Sequence, residues 1–183
     1  MLTHLVTRLI NWLLTLCFRR HNFHIKQARK VLSILLRLRS IGVEDERVIP
    51  FLRMISPSTF EEMVLAIAEG EGCYVWRLTG NSGRGRFDGK VDYCGETWLI
   101  QCKRYKSEVK PSHVRRFARL ANSLGMRGLF IHTGDENGRE YSAGDKVKFL
   151  SGDPLVKVML GEARLVDQMY GWKTQTVNAT DFE

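Results

Sequence analysis

The chain has 183 residues, 44% hydrophobic and 26% charged, with 28 Lys and Arg against 20 Asp and Glu. These proportions exclude bulk disorder and a disulfide scaffold, and the length holds one ordinary domain plus an appendage. The net charge of +8 attracts polyanions by steering and counterion release, so nucleic acid is the expected partner and an anionic membrane surface the competitor.

Residues 1–18 (MLTHLVTRLINWLLTLCF) are apolar and are followed by Arg19 and Arg20. Leu2, Leu5, Val6, Leu9, Leu13, Leu16 and Cys17 recur at three and four, as one face of a helix does. His4, Arg8 and Asn11 interrupt the run, which is shorter than the roughly 20 residues of a spanning helix. The charge follows the apolar stretch, the reverse of a cleaved signal peptide. The segment therefore reads as an amphipathic helix that packs on a partner or on the domain, in preference to membrane attachment. Residues 19–26 are polar and basic and read as a linker. Gln27 to Leu38 carries Val31, Leu32, Ile34, Leu35 and Leu38 at helical spacing, and Gly42 ends it. Glu44 to Met54 reads as a short helix interrupted by Pro50. Residues 1–55 thus form a helical N-terminal accessory region, in which no helix-turn-helix is evident.

The main domain is expected over 56–172, with a loose tail over 173–183. Ser56 or Ser58 can cap a helix starting near Thr59, with Glu61 and Glu62 at its positive end. Its apolar stripe is Phe60, Met63, Val64, Ile67 and Ala68, and Gly70 and Gly72 stop it. Tyr74 to Leu78 reads as a strand, and residues 79–86 (TGNSGRGR) as a glycine-rich loop. Phe87 to Tyr93 and Thr97 to Arg104 are two further strands that form a hairpin around Gly95. Pro111 opens a helix to about Leu124, with Val114, Phe117, Ala118 and Ala121 inward and Gly125 as its stop. Gly128 to Thr133 is a buried strand. Tyr141 to Phe149 reads as helical, Val156 to Leu160 as a strand, and Glu162 to Tyr170 as a closing helix. This order implies an α/β fold, a mixed central β-sheet flanked by helices on both faces.

Cys17, Cys73, Cys94 and Cys102 include no C-x-x-C pair. They read as buried thiols in a reducing compartment rather than zinc ligands, and the expected location is cytoplasmic.

Strand alternation selects the chemistry. Gln101 and Lys103 share one face of their strand, and Asp88 on the neighbouring strand can oppose them. An acid, an amide oxygen and an amine then meet at one sheet edge. A hard divalent cation takes oxygen ligands of this kind, and Mg²⁺ or Mn²⁺ is the expected ion. Such an ion lowers the pKa of a bound water and polarises a phosphoryl oxygen, while an adjacent lysine orients the water and balances charge on phosphorus. Glu61 or Glu62 can reach the same ion from the first helix. Asp92 shares a face with Asp88 and is the fallback acid in a shifted register. His132, a lone histidine ending an apolar strand, is more often structural, and His113 at a helix start is expected in solvent. Trp98 and Tyr105 read as packing or stacking residues.

Phe60-Glu61-Glu62-Met63-Val64, then Thr79 to Gly89 (TGNSGRGRFDG), then Gln101-Cys102-Lys103-Arg104-Tyr105 resemble the Mrr-type restriction endonuclease domain. That family has the PD-(D/E)xK nuclease fold with a Q-x-K variant of the last motif. Its pattern is an F-E pair on the first helix, an S-G-D-G-G-I-D-G-like loop and strand, and a Q-x-K-R-Y-like strand. Gly128 to Thr133 resembles its next core strand, and Val158 to Met169 its final strand and helix. The likeness spans about 56–170. It implies a metal-dependent DNA endonuclease of restriction or DNA-processing type. Asp88, Gln101 and Glu61 would be the metal-binding and catalytic positions, with Lys103 as the catalytic lysine and Glu62 as a substitute for Glu61. Arg84 and Arg86 depart from the family's loop, where Asp and Gly are usual. They either grip DNA or weaken catalysis, and the second outcome would leave a DNA-binding module on the same fold, tethered or free.

Arg104, Lys106, Arg115, Arg116 and Arg119, with Arg84 and Arg86, are the candidate DNA contacts. Such contacts are mainly to phosphates and position the strand without reading its sequence. The N-terminal helices offer an apolar face for a homodimer, which cutting both strands would favour.

Overall fold

The computed structural model describes residues 22–42, 44–78, 87–135 and 146–171. The expectations for the helix over 1–18, for the glycine-rich loop with Arg84 and Arg86, and for the tail all lie outside these residues.

Helix α1 occupies residues 22–40, so the expected linker over 19–26 gives way to helix from residue 22 onward. A 3-10 turn, Asp45–Arg47, leads into the short α2, Val48–Leu52. Pro50 is the third residue of α2, in the first turn, where no intrahelical N–H bond is required. Helix α3 runs Pro57–Gly70, and its cap is Ser56, whose side chain accepts a hydrogen bond from the Thr59 N–H at 3.1 Å. Proline at the first helical position pre-sets φ, so cap and proline together fix where α3 begins.

The sheet follows as β1 (Tyr74–Arg77), β2 (Gly89–Tyr93) and β3 (Glu96–Lys103). Then come α4 (Pro111–Ser123), β4 (Arg127–His132), β5 (Val147–Leu150), α5 (Gly152–Met159) and α6 (Leu165–Tyr170). The five strands lie in the order β1-β2-β3-β4-β5. The first three are antiparallel, and β3, β4 and β5 are parallel. This is the mixed, helix-flanked α/β sheet expected.

Alternation along the strands divides the core. Val91, Trp98, Ile100, Cys102, Leu129, Ile131 and Leu150 point to one face and pack with α3, α5 and α6. Leu99, Phe130 and Val147 point to the other, under Val114, Phe117, Ala118 and Ala121 of α4, the four residues expected to face inward. Ala28 and Leu35 of α1 and Val48 and Leu52 of α2 are buried in the first cluster. Arg39 strengthens that docking, reaching the Leu160 carbonyl at 3.2 Å and Glu162 at 2.9 Å. Among the described residues no helix is long and apolar enough to cross a membrane.

The C-terminal third differs from the sequence expectation. Val156 to Leu160 is expected as a strand and lies in and just after helix α5; of the stretch expected as helical, Tyr141 to Phe149, residues 141–145 lie outside the described residues and Val147 to Phe149 belong to strand β5. The buried residues of α5 are Leu155, Val156, Val158 and Met159, which is helical spacing. Ser151, Gly152, Asp153 and Pro154 are helix-start residues, and tertiary packing here overrides the strand preference of two valines. Helix α6 begins at Leu165 rather than Glu162 because the Glu71 carboxylate caps it there. It accepts from the Leu165 N–H at 2.7 Å and the Val166 N–H at 2.9 Å.

Candidate active site

The β2–β3 hairpin sets the register of the site. Its two loop residues, Cys94 and Gly95, both have positive φ, 53° and 78°, the requirement of a two-residue turn that follows strand twist. Cys94 is exposed in this turn, unlike Cys73 and Cys102, so the expectation of a buried thiol fails there. From the turn, Gly89 pairs with Ile100, and the Asp88 N–H donates to the Ile100 carbonyl at 2.8 Å. Asp88 therefore lies opposite Gln101. Gly89 also lets α3 approach, since a Cβ there would meet Leu65 Cδ2 at 2.8 Å and the Trp76 carbonyl oxygen at 3.1 Å.

Gln101 is buried, 2% exposed. Its Nε2 donates to Asp88 Oδ2 at 2.6 Å, and the Cys102 N–H donates to the same oxygen at 2.6 Å. Two donors on one oxygen fix the carboxylate and leave Oδ1 as the oxygen outside these bonds. Burial raises the Asp88 pKa, against the lowering influence of the Lys103 charge and the two hydrogen bonds. Glu61 is pushed up to about 7, first by burial, then by the charge of Asp88, with Lys103 opposing and Glu62 adding to the rise. Glu61, Asp88 and Lys103 thus form one electrostatic cluster. Two carboxyl groups that resist ionising together beside one cation are what a site for an added cation looks like without it.

Glu62, the alternative acid, is engaged by an arginine. It is buried and ion-paired with Arg77 at 2.9 Å, and Arg77 also holds Glu69 at 3.0 Å. Arg29 reaches the same Glu69 at 3.1 Å, so the network ties α1, α3 and β1 together. Asp92 is placed elsewhere, opposite Thr97 near the turn, where it accepts from the Thr97 hydroxyl at 3.1 Å.

Past Lys103 the strand end is clamped. The Thr133 hydroxyl accepts from the Tyr105 N–H at 3.1 Å and donates to the Tyr105 carbonyl at 3.0 Å. Arg53 donates to the Thr133 carbonyl at 2.8 and 2.6 Å and to Asp135 at 2.7 Å. Arg104, a candidate DNA contact, is half-buried and donates through Nη1 to the Arg53 carbonyl. Lys106, Arg115, Arg116 and Arg119 are exposed, the last three along α4.

The two histidines differ from each other. His132 is buried beside Lys103 in the parallel register, among the Tyr105 and Phe130 rings. His113 was expected in solvent but is half-buried, and its Nδ1 lies 2.8 Å from the Tyr105 hydroxyl. Burial, then the charges of Arg116, Lys103 and Lys110, lower its pKa. The sequence reading missed the Tyr105–His113 pair and the Thr133–Arg53 clamp. Pro111 places His113 in the first turn of α4, but nothing local to the sequence points that turn at Tyr105.

Among the described residues no three His, Cys, Asp or Glu side chains group as a metal centre. A cation at the hairpin would rest on Asp88 and Glu61, with amide or main-chain oxygens completing its shell. Hard divalent ions accept such a set, and the raised carboxyl pKa values fit it.

The family model described as restriction endonuclease matches residues 52–159, a span that contains Glu61, Asp88, Gln101 and Lys103. No curated protein and no solved structure matches the chain.

Proposed function

The chain belongs to the Mrr-type restriction endonuclease family, and from that premise we propose that it is a divalent-metal-dependent DNA endonuclease whose centre is Glu61, Asp88, Gln101 and Lys103. The observation that carries the proposal is the pair of carboxyls, Glu61 and Asp88, both held above their ordinary range by burial, beside the Lys103 cation.

Asp88 and Glu61 would hold Mg²⁺ or Mn²⁺, with the Gln101 amide as the third group. Gln101 turns its NH₂ toward Asp88, so half a turn of the terminal amide is needed to offer its oxygen. When bound, the ion supplies a water of lowered pKa and a polarised phosphoryl oxygen. The Cys102 N–H keeps the Asp88 carboxylate oriented, which spares that reorganisation during reaction. Lys103 orients the attacking water and sets positive charge against the phosphorus as charge builds there. Arg115, Arg116 and Arg119 on α4, with Lys106, hold phosphates to either side. Arg84 and Arg86, four and two residues before Asp88 in the chain, would add positive charge for holding DNA. Arg104 joins them only through the guanidinium nitrogens not committed to Arg53.

Plasmid DNA, methylated and unmethylated, incubated with Mg²⁺ or Mn²⁺ tests this. The wild type is expected to nick or linearise at least one plasmid, and Asp88→Ala and Lys103→Ala to lose at least about 100-fold in rate. A wild type that binds DNA but cuts neither plasmid with either ion contradicts the proposal. The departure at Arg84 and Arg86 then favours the second reading, a DNA-binding module without catalysis.

A further inference from the structure

Helix α4 covers only part of its sheet face. It packs over Leu99, Phe130 and Val147, on the β3–β5 side. Among the described residues, no helix packs over the same face of β1 and β2. Along β1, Val75 packs toward α3 and Arg77 pairs with its Glu62, whereas Tyr74 and Trp76 point outward and are 65% and 43% exposed. Their rings stand edge to face with centroids 4.4 Å apart. Lys90 is paired opposite Trp76 in the ladder, and its Nζ lies 5.8 Å from the centroid of Phe87.

This aromatic strip is continuous with the candidate active site. Side chains alternate along a strand, and Asp88, just before β2, continues the ladder opposite Gln101, so Lys90 and Asp88 share that face. Trp76 is then two residues along and one strand across from Asp88, about 8 Å away, or two to three base rises of a DNA strand. A lone exposed aromatic is ordinary. A coupled pair on a four-residue edge strand, with a lysine alongside and the acid cluster next to it, is a surface of a different kind.

We propose that Tyr74 and Trp76 form a stacking platform for an unpaired nucleobase of the DNA strand held at Asp88, with Lys90 contacting the adjoining phosphate. The proposal rests on the DNA-hydrolase reading and names the substrate class of that site: DNA carrying a bulged, flipped or single-stranded nucleotide near the cut. A base inside a duplex has both faces covered by its neighbours and offers nothing to these rings. An extruded base presents its π-face, and aromatic side chains bind any base that way. Asp92 stands opposite Tyr74 and Lys90 opposite Trp76, so the strip carries both signs, and its continuity with the Asp88 centre, with Lys90 on the Trp76 side, favours a nucleotide as the occupant.

The test uses the full chain without divalent ions, so that nothing is cut. Fluorescence anisotropy measures affinity for a 20-base-pair duplex, for the same duplex with one unpaired thymine, and for one of its strands. Wild type is expected to prefer the two probes with unpaired bases. In Tyr74→Ala/Trp76→Ala that preference over the duplex is expected to fall about tenfold, and Tyr74→Phe/Trp76→Phe is expected to retain it. Thermal unfolding of each variant establishes that it folds. Equal loss on all three probes, or no loss, overturns the platform. If the alanine variant instead changes oligomeric state in sedimentation with the preference intact, the strip joins two copies of the chain and the proposal also falls. A wild type that binds none of the probes contradicts the DNA-hydrolase reading itself, which separates the two failures.

Discussion

The choice between two adjacent acids shows what one side chain's surroundings decide. By spacing alone Glu61 and Glu62 are equivalent, and only the family resemblance prefers Glu61. Arg77, fifteen residues on in β1, takes Glu62 at 2.9 Å and leaves Glu61 as the acid that experiences the Asp88 charge. That selection was not legible from spacing, because it depends on which face of α3 meets β1. The opposition of Asp88 and Gln101 was legible, since strand alternation and one turn glycine determine it. A pH dependence follows from Glu61. Its pKa is raised from 4.5 to about 7, so the folded state binds a proton that the unfolded state releases between those values. The stability linked to Glu61 is fully present below pH 4.5 and is lost as pH rises to about 7. Without divalent ions, Glu61→Gln is therefore expected to raise the melting temperature relative to wild type at pH 8 and to change it far less at pH 4.5. His113 acts in the opposite direction: its pKa is lowered, so its contribution is lost as pH falls below 6.5. Comparing Glu61→Gln with wild type at each pH cancels that background. A variant with the same melting temperature as wild type at pH 8 would remove the basis for placing Glu61 beside Asp88.

At the scale of elements, the order of strands and helices was readable wherever local signals agreed with one another. Ser56 and Pro57 start α3 two residues before the expected Thr59, which leaves Glu61 and Glu62 beyond its first turn; Pro111 starts α4, and Gly125, with φ at 65°, follows α4 as its stop. The reading failed where they conflicted. Val156 and Val158 favour a strand, whereas the residues from Ser151 to Pro154 start a helix. The contacts of Leu155 and Met159 with the core decide for the helix. Tyr105 meets His113 only because α4 folds back over β3, a fact of packing direction that no periodicity carries. The hairpin that holds Asp88 against Gln101 contains a strained residue, Cys94, at φ 53°. Asparagine tolerates that conformation better than other non-glycine residues. Because Cys94 is exposed, Cys94→Asn is expected to stabilise the chain by about 0.5–1 kcal/mol, read as a higher urea midpoint at unchanged slope. A lower midpoint would show that the thiol makes a contribution the turn geometry does not reveal.

For the whole molecule, the helices of residues 22–55 and the sheet share one core. Ala28, Leu35, Val48 and Leu52 are buried together with Phe60, Met63 and Leu155. Arg53 reaches across to Thr133 at the strand end beside Lys103. A chain beginning at residue 56 would expose that surface. Burial of each of Leu35, Val48 and Leu52 contributes about 1.5–3 kcal/mol, against a total stability of about 5–15 kcal/mol. The truncated chain is expected to lose cooperative thermal unfolding or to melt at least about 10 °C lower. Unchanged melting would show that the nuclease domain folds without its N-terminal helices. Net charge overstates the outward-facing positive surface for a related reason. Arg29, Arg39, Arg53 and Arg77 are committed to internal partners, which leaves the α4 arginines, Lys106 and Lys90 among the described cations facing outward near the site.

Whether Glu61, Asp88 and Gln101 bind a divalent ion can be measured without knowing which DNA is cut. Isothermal titration of Mn²⁺ into the DNA-free full chain, near pH 7, compares wild type with Asp88→Ala. Wild type is expected to take up one ion per chain and to release protons as it does so, because Glu61 is still partly protonated there. Asp88→Ala is expected to bind at least about tenfold more weakly. Equal binding by the two proteins, or none by wild type, would contradict the assignment of this cluster as a metal-dependent catalytic centre.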